Sequence, residues 1–199
     1  LGVDRNRLVN AYCAPHIQAQ RLTVASLTSH ITWPTPAACR LARNWLLQTY
    51  PPTGQSSLRR LYISRDRASR RHVINEPEIL AFLEPLGFTR IFAEDLSLAD
   101  QVSLFAGAEM IVAPHGAGLT NLLVCPEGAI VIELFAGPRQ TWHAYWLMAQ
   151  HVGLRYAALV SDIPRSIALY ELLHPCLNID ADIYIHPPDL LGLIDRLLN

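Results

Sequence analysis

From Arg59 onward, short apolar runs alternate with helix-length amphipathic stretches, and that alternation restricts the chain to a parallel sheet covered by helices. The runs Arg60–Ser64, Phe88–Ala93, Glu109–Ala113, Ala129–Leu134 and Arg155–Val160 read as strands. Between them the spacing predicts a helix from Asn75 to about Leu86, stopped by Gly87. It predicts a second from Leu98 to Ala108, with Leu98, Val102 and Phe105 on one face and Ser97 as its cap. Further helices are expected over 117–124 and 141–152. Residues 161–180 are irregular, and Pro188–Leu198 forms a last amphipathic helix that packs back on the domain. The fold class is α/β: a Rossmann-like parallel sheet with helices on both faces.

Upstream of Arg59 the pattern is weaker. Leu22–Ser26 has the composition of a short strand, and a helix is expected from Pro36 to about Tyr50 with Thr35 as its cap. Pro51–Ser57 has linker composition. Residues 1–57 therefore read as an N-terminal remnant or linker carrying a helix, and 58–199 as the Rossmann-like domain. The chain starts at Leu1 without a methionine, so it reads as part of a longer protein.

Composition narrows the partners. Hydrophobic residues make up 51% and charged residues 17% of 199, which fits a core-rich fold and excludes disorder. A net charge of −1 gives no general attraction to nucleic acid or anionic membranes. All 16 basic residues are arginines, so any anion site must use guanidinium forks or backbone N–H groups. Cys13, Cys39, Cys125 and Cys176 lack C-x-x-C or zinc-finger spacing and are expected as free, buried thiols in a reducing compartment. No metal site is expected. With no apolar run of membrane-spanning length, the expected location is cytoplasmic or peripheral to a membrane.

Three features carry chemistry. The segment Pro114-His115-Gly116-Ala117-Gly118-Leu119-Thr120-Asn121 follows a buried-type strand and opens a helix, the place where open parallel sheets bind ligands. Gly116 and Gly118 would permit positive φ or close backbone approach. The helix start offers unpaired N–H groups to a phosphate, and His115 could add a hydrogen bond. A tight strand–helix turn without a ligand fits the same residues.

The second feature is the basic loop after the first strand, with Arg65, Arg67, Arg70 and Arg71. Arg65 and Arg71 are expected to meet a diphosphate, and Arg67 and Arg70 to be solvated. The third is Glu133, a carboxylate inside an apolar strand that needs a partner. Ribose hydroxyls or an arginine would both serve. Trp142 and His143 could line a pocket.

Taken together, Tyr62-Ile-Ser-Arg65, Arg71, Asn75-Glu76, Glu94-x-Leu-Ser97, Gln101, the turn 114–121 and Ile132-Glu133 resemble glycosyltransferase family 61. The resemblance covers about Arg59 to Val160 and, more loosely, the final helix. It implies the C-terminal, donor-binding half of a GT-B enzyme that inverts configuration, takes a nucleotide sugar (most often uridine diphosphate-linked) and needs no metal or other cofactor. Carried over, Arg65 and Arg71 meet the diphosphate, residues His115 to Asn121 cradle it, and Glu133 holds the ribose. The acceptor is a glycan or other hydroxyl, as in surface-polysaccharide synthesis, and the general base belongs to the N-terminal domain. A non-catalytic nucleotide-binding module shares these residues. An unrelated Rossmann-like enzyme is disfavoured by the absence of G-x-S-x-G and G-x-G-x-x-G.

Overall fold

The computed structural model of the protein describes residues 4–10, 16, 18, 20, 21, 23, 33–54, 57–137, 143–161 and 182–199. Strands β1 (Arg60–Ile63), β2 (Phe88–Ile91), β3 (Met110–Pro114), β4 (Ile130–Phe135) and β5 (Arg155–Val160) form one sheet in the order β2-β1-β3-β4-β5. Every pairing is parallel, as the alternating sequence pattern requires.

β3 and β4 are buried at every position because helices cover both faces of the sheet. Successive residues feed two cores. Ile111, Ala113 and Val131 pack with Val102, Phe105, Leu119 and Leu122 on one face. Val112, Ile130, Ile132 and Leu134 pack with Ile79, Leu83, Ile183 and Ile194 on the other. Each fully buried Leu or Ile contributes roughly 1.5–3 kcal/mol of transfer free energy, so these layers outweigh any local propensity.

Helix α1 (Pro36–Thr49) starts where Thr35 Oγ1 accepts the Ala38 N–H at 3.2 Å. Helix α2 (Glu76–Leu83) tightens into a 3₁₀ turn, Glu84–Leu86, and Gly87 ends it at φ 82. Ser97 caps α3 (Leu98–Phe105) by accepting the Asp100 N–H at 3.2 Å. Val102 and Phe105 of α3 are buried, but Leu98 is 41% exposed, because the buried positions all fall in the second half of this short helix. Helices α4 (Ala144–Val152) and α5 (Pro187–Leu198) complete the set.

The helix expected over 117–124 is present with those bounds, and its winding is specific. Residues Ala117–Val124 form a 3₁₀ helix, not an α-helix. Leu119 and Leu122, both fully buried, stand three residues apart, which is the 3₁₀ repeat. Over eight residues, spacings of three and four cannot be told apart from sequence.

Two sets of hydrogen bonds tie flanking segments to the domain. Arg43 of α1 donates to the Leu123 and Cys125 carbonyls at 2.6 and 2.7 Å, groups the 3₁₀ helix leaves unsatisfied at its end. The segment before α5 lies beside residues 72–75. There Ile74 N–H donates to Ile183 O at 2.9 Å and Asn75 Nδ2 donates to Ile185 O at 2.8 Å. α5 then packs on α2, as expected of the final helix.

Cys39 and Cys125 are free and buried. Cys13, Cys176, Trp142, the irregular stretch from 162 and most of the expected strand at 22–26 lie outside the described residues. Among the described residues, no helix is long and apolar enough to cross a membrane.

Candidate functional site

The strand order reverses between β1 and β3, and a switch point of this kind opens a crevice at the carboxyl ends of the strands. A cavity of about 280 Å³ lies there. Ser64 and Arg65 line it from the end of β1, Glu94 from the loop after β2, and Pro114, Gly116 and Gly118 from the turn after β3.

The glycines of that turn serve close approach. Gly116 has φ 167 and ψ 173, an extended conformation open to any residue, and Gly118 is not among the positive-φ glycines. Left-handed freedom is therefore not what this turn uses. A Cβ on Gly116 would run into the Arg65 guanidinium, with Cζ 3.1 Å away, and one on Gly118 would lie 3.1 Å from Ile63 Cγ2. Gly116 makes room for Arg65, and Gly118 lets the turn sit on β1. The first bond of the 3₁₀ helix runs from Leu119 N–H to Gly116 O at 3.0 Å. The N–H groups of Ala117 and Gly118 precede it and lie outside the helical ladder.

Arg65 is half-buried. Its Nη2 donates to the Arg70 carbonyl at 3.2 Å, while its Nε is buried without a hydrogen-bond partner. Burial lowers its pKa, and the neighbouring Arg71 and Arg70 lower it further, while Glu94 and Tyr145 oppose them. Like charges have thus been brought together around Arg65, which lines the cavity.

Arg71 has φ 61, the one positive φ at a non-glycine position among the described residues. Such a conformation costs roughly 1–2 kcal/mol, and sites that bind ligands are where such strain collects. Arg67 instead pairs with Asp95 at 2.6 Å and lies 3.8 Å over the Phe92 ring.

His115 and Glu133 form one unit. His115 Nδ1 is hydrogen-bonded to Glu133 Oε1, and Tyr156 donates its hydroxyl to Glu133 Oε2 at 2.5 Å. Glu133 has no exposed area, and the side chains bonded to it are a histidine and a tyrosine, not the arginine of a structural pair. Glu133 pairs with Ala158 in the sheet, so Tyr156, two positions earlier, projects from the same face. Burial and the Glu133 charge raise the Tyr156 pKa.

The His115 ring stacks on Phe135 at 5.4 Å and meets Tyr145 of α4 at 5.3 Å. Burial raises the Tyr145 pKa, and the neighbouring Thr120 opposes that shift. Neither Tyr145 nor Tyr156 stood out in the sequence. The parity of β5 against β4 points to Tyr156, whereas Tyr145 depends on how α4 docks. His143 lies away from this unit, its ring edge-on to Trp33 and Trp146.

Asn121 donates to Gln101 Oε1 at 2.9 Å and to Gly118 O at 3.1 Å, and Gln101 Nε2 donates to Ala93 O at 2.9 Å and Leu96 O at 3.1 Å. This chain ties the turn after β3 to the loop that carries Glu94. Of the remaining turn residues, Leu119 is buried in the core beneath the cavity, and Ala117 and Thr120 are exposed.

Sheet order and a guanidinium-lined cleft at the switch point define a Rossmann-like domain of the kind that holds ligands at its carboxyl edge. The chain belongs to the Glycosyltransferase 61 family, whose profile matches residues 6–132. That match takes in α1, upstream of the segment that carried the resemblance in sequence.

Relatives include an EGF domain-specific O-linked N-acetylglucosamine transferase of Drosophila melanogaster, 38% identical over 88 residues (43% of this chain and 16% of the relative). The human protein O-linked-mannose beta-1,4-N-acetylglucosaminyltransferase 2 is 39% identical over 72 residues (35% and 12%). A beta-1,2-xylosyltransferase of Oryza sativa subsp. japonica is 40% identical over 116 residues (55% and 25%). The chain therefore spans a quarter or less of the length of these relatives.

Proposed function

We propose that this chain is the donor-binding part of an inverting glycosyltransferase that takes its sugar from a nucleoside diphosphate, with uridine diphosphate the expected nucleotide. The observation that carries this reading is the half-buried Arg65, seated against Gly116 with Arg71 beside it at the sheet's switch point. Guanidinium forks bind phosphate oxygens bidentately. Preorganised positive groups stabilise a departing diphosphate without rearranging during the reaction. The Ala117 and Gly118 N–H groups add donors on the same side.

In this reading, Glu133 works first through His115, and the remaining lone pairs of its carboxylate are what a ribose hydroxyl would use. The base that activates the acceptor hydroxyl comes from a second domain of a GT-B pair. The acceptor is a glycan or other hydroxyl, with surface-polysaccharide assembly as the setting.

Calorimetric titration with uridine and guanosine diphosphates, and with uridine-linked N-acetylglucosamine and xylose, tests the proposal. Binding of at least one uridine compound, lost in Arg65→Ala, is expected. Silence toward the whole panel would contradict it.

A further inference from the structure

Tyr145 belongs to none of the motifs that marked the site, yet α4 delivers it to the same place. Its ring packs against His115 at 5.3 Å with an interplanar angle of 58°. Thr120, on the 3₁₀ helix that follows the glycine turn, lies beside its phenol. The phenol carries a hydrogen that it can donate to an acceptor.

The residue is only partly buried, so a ligand can reach it. It stands within electrostatic reach of both Arg65 and Arg71, which favour its ionised form, and of Glu133, which disfavours it. An O–H within electrostatic reach of two guanidinium groups is suited to an anionic oxygen that those groups hold.

We propose that Tyr145 is a further ligand-binding residue, whose hydroxyl donates a hydrogen bond to a phosphate oxygen of the nucleotide held by Arg65 and Arg71. The assignment rests on the donor-site reading above and adds to it a contact from α4. His115 fixes the edge of the Tyr145 ring, and Glu133 and Tyr156 fix His115. The phenol is thus held in place by a chain of contacts that begins on the edge strand β5.

Uridine diphosphate titrated into the unaltered chain, Tyr145→Phe and Arg65→Ala, at a temperature well below all three melting points, tests it. Tyr145→Phe keeps the ring against His115 and removes only the hydroxyl. A hydrogen bond to a charged group is worth on the order of tenfold or more in affinity, so the variant is expected to bind about tenfold more weakly. Equal affinity of Tyr145→Phe and the unaltered chain would overturn the role of Tyr145 while leaving the donor site standing. Failure of the unaltered chain to bind would overturn both.

Discussion

His115 and Glu133, 18 residues apart in sequence, share a hydrogen bond inside the protein, where Glu133 has no exposed area. A carboxylate at such depth is tolerable because His115 and Tyr156 take one oxygen each. Removing one member of a buried polar pair strands the other. Glu133→Ala is expected to lower unfolding free energy by about 3–5 kcal/mol. Glu133→Gln, which keeps the shape and one acceptor, should cost less. Urea denaturation of the two variants checks both the size and the order.

Gly116 and Arg65 form the second such pair, across the mouth of the cavity. The extended backbone of Gly116 accepts an alanine without strain. The added Cβ, however, meets the end of the Arg65 side chain, which must shift from its present seat beside the Arg70 carbonyl. Gly116→Ala is expected to keep its melting temperature within a few degrees and to lose at least about tenfold in uridine diphosphate affinity, the worth of one charged contact. A loss of stability with affinity intact would show that the glycine serves folding alone.

The sheet was legible in sequence because its central strands are apolar at every position, while turn residues such as Gly87 sit where the helices end. The site was legible only in outline. Arg65, Arg71 and the glycine turn converge as the strand ends require, but the reason for Gly116 is a neighbour 51 positions away, which no local pattern contains. Motif residues Asn75 and Glu76 turn out to brace the scaffold. Asn75 holds the segment before α5, and Glu76 pairs with Arg90 at 2.9 Å. Tyr145 escaped notice because its role depends on the docking of α4.

Arg43 binds the elements upstream of the sheet to the end of the 3₁₀ helix. Its two bonds to carbonyls are charge-assisted and partly buried, a class worth roughly 1.5–3 kcal/mol each before solvent is counted. Arg43→Ala is expected to lower unfolding free energy by about 1.5–3 kcal/mol in total, because water recovers part of the loss. Chemical denaturation monitored by tryptophan fluorescence reads this directly.

Burial pushes the Cys125 thiol from its ordinary 9.0 up to about 12. Between those values the unfolded chain releases a proton that the folded protein retains. Stability from this group is therefore intact below pH 9.0 and falls as pH rises toward 12. Cys39 shifts in the same direction, also through burial. Thermal melts from pH 7 to 11 should fall above pH 9, less steeply in Cys125→Ala. The folded protein should also resist alkylation at Cys125 near pH 8.

The most direct test of the central claim is a crystal structure of the chain with uridine diphosphate. The account predicts the diphosphate in the cavity at the β1–β3 switch point, against Arg65, Arg71 and the turn at Gly116–Gly118. Nucleotide bound elsewhere on the sheet, or an empty cavity at saturating concentration, would contradict it.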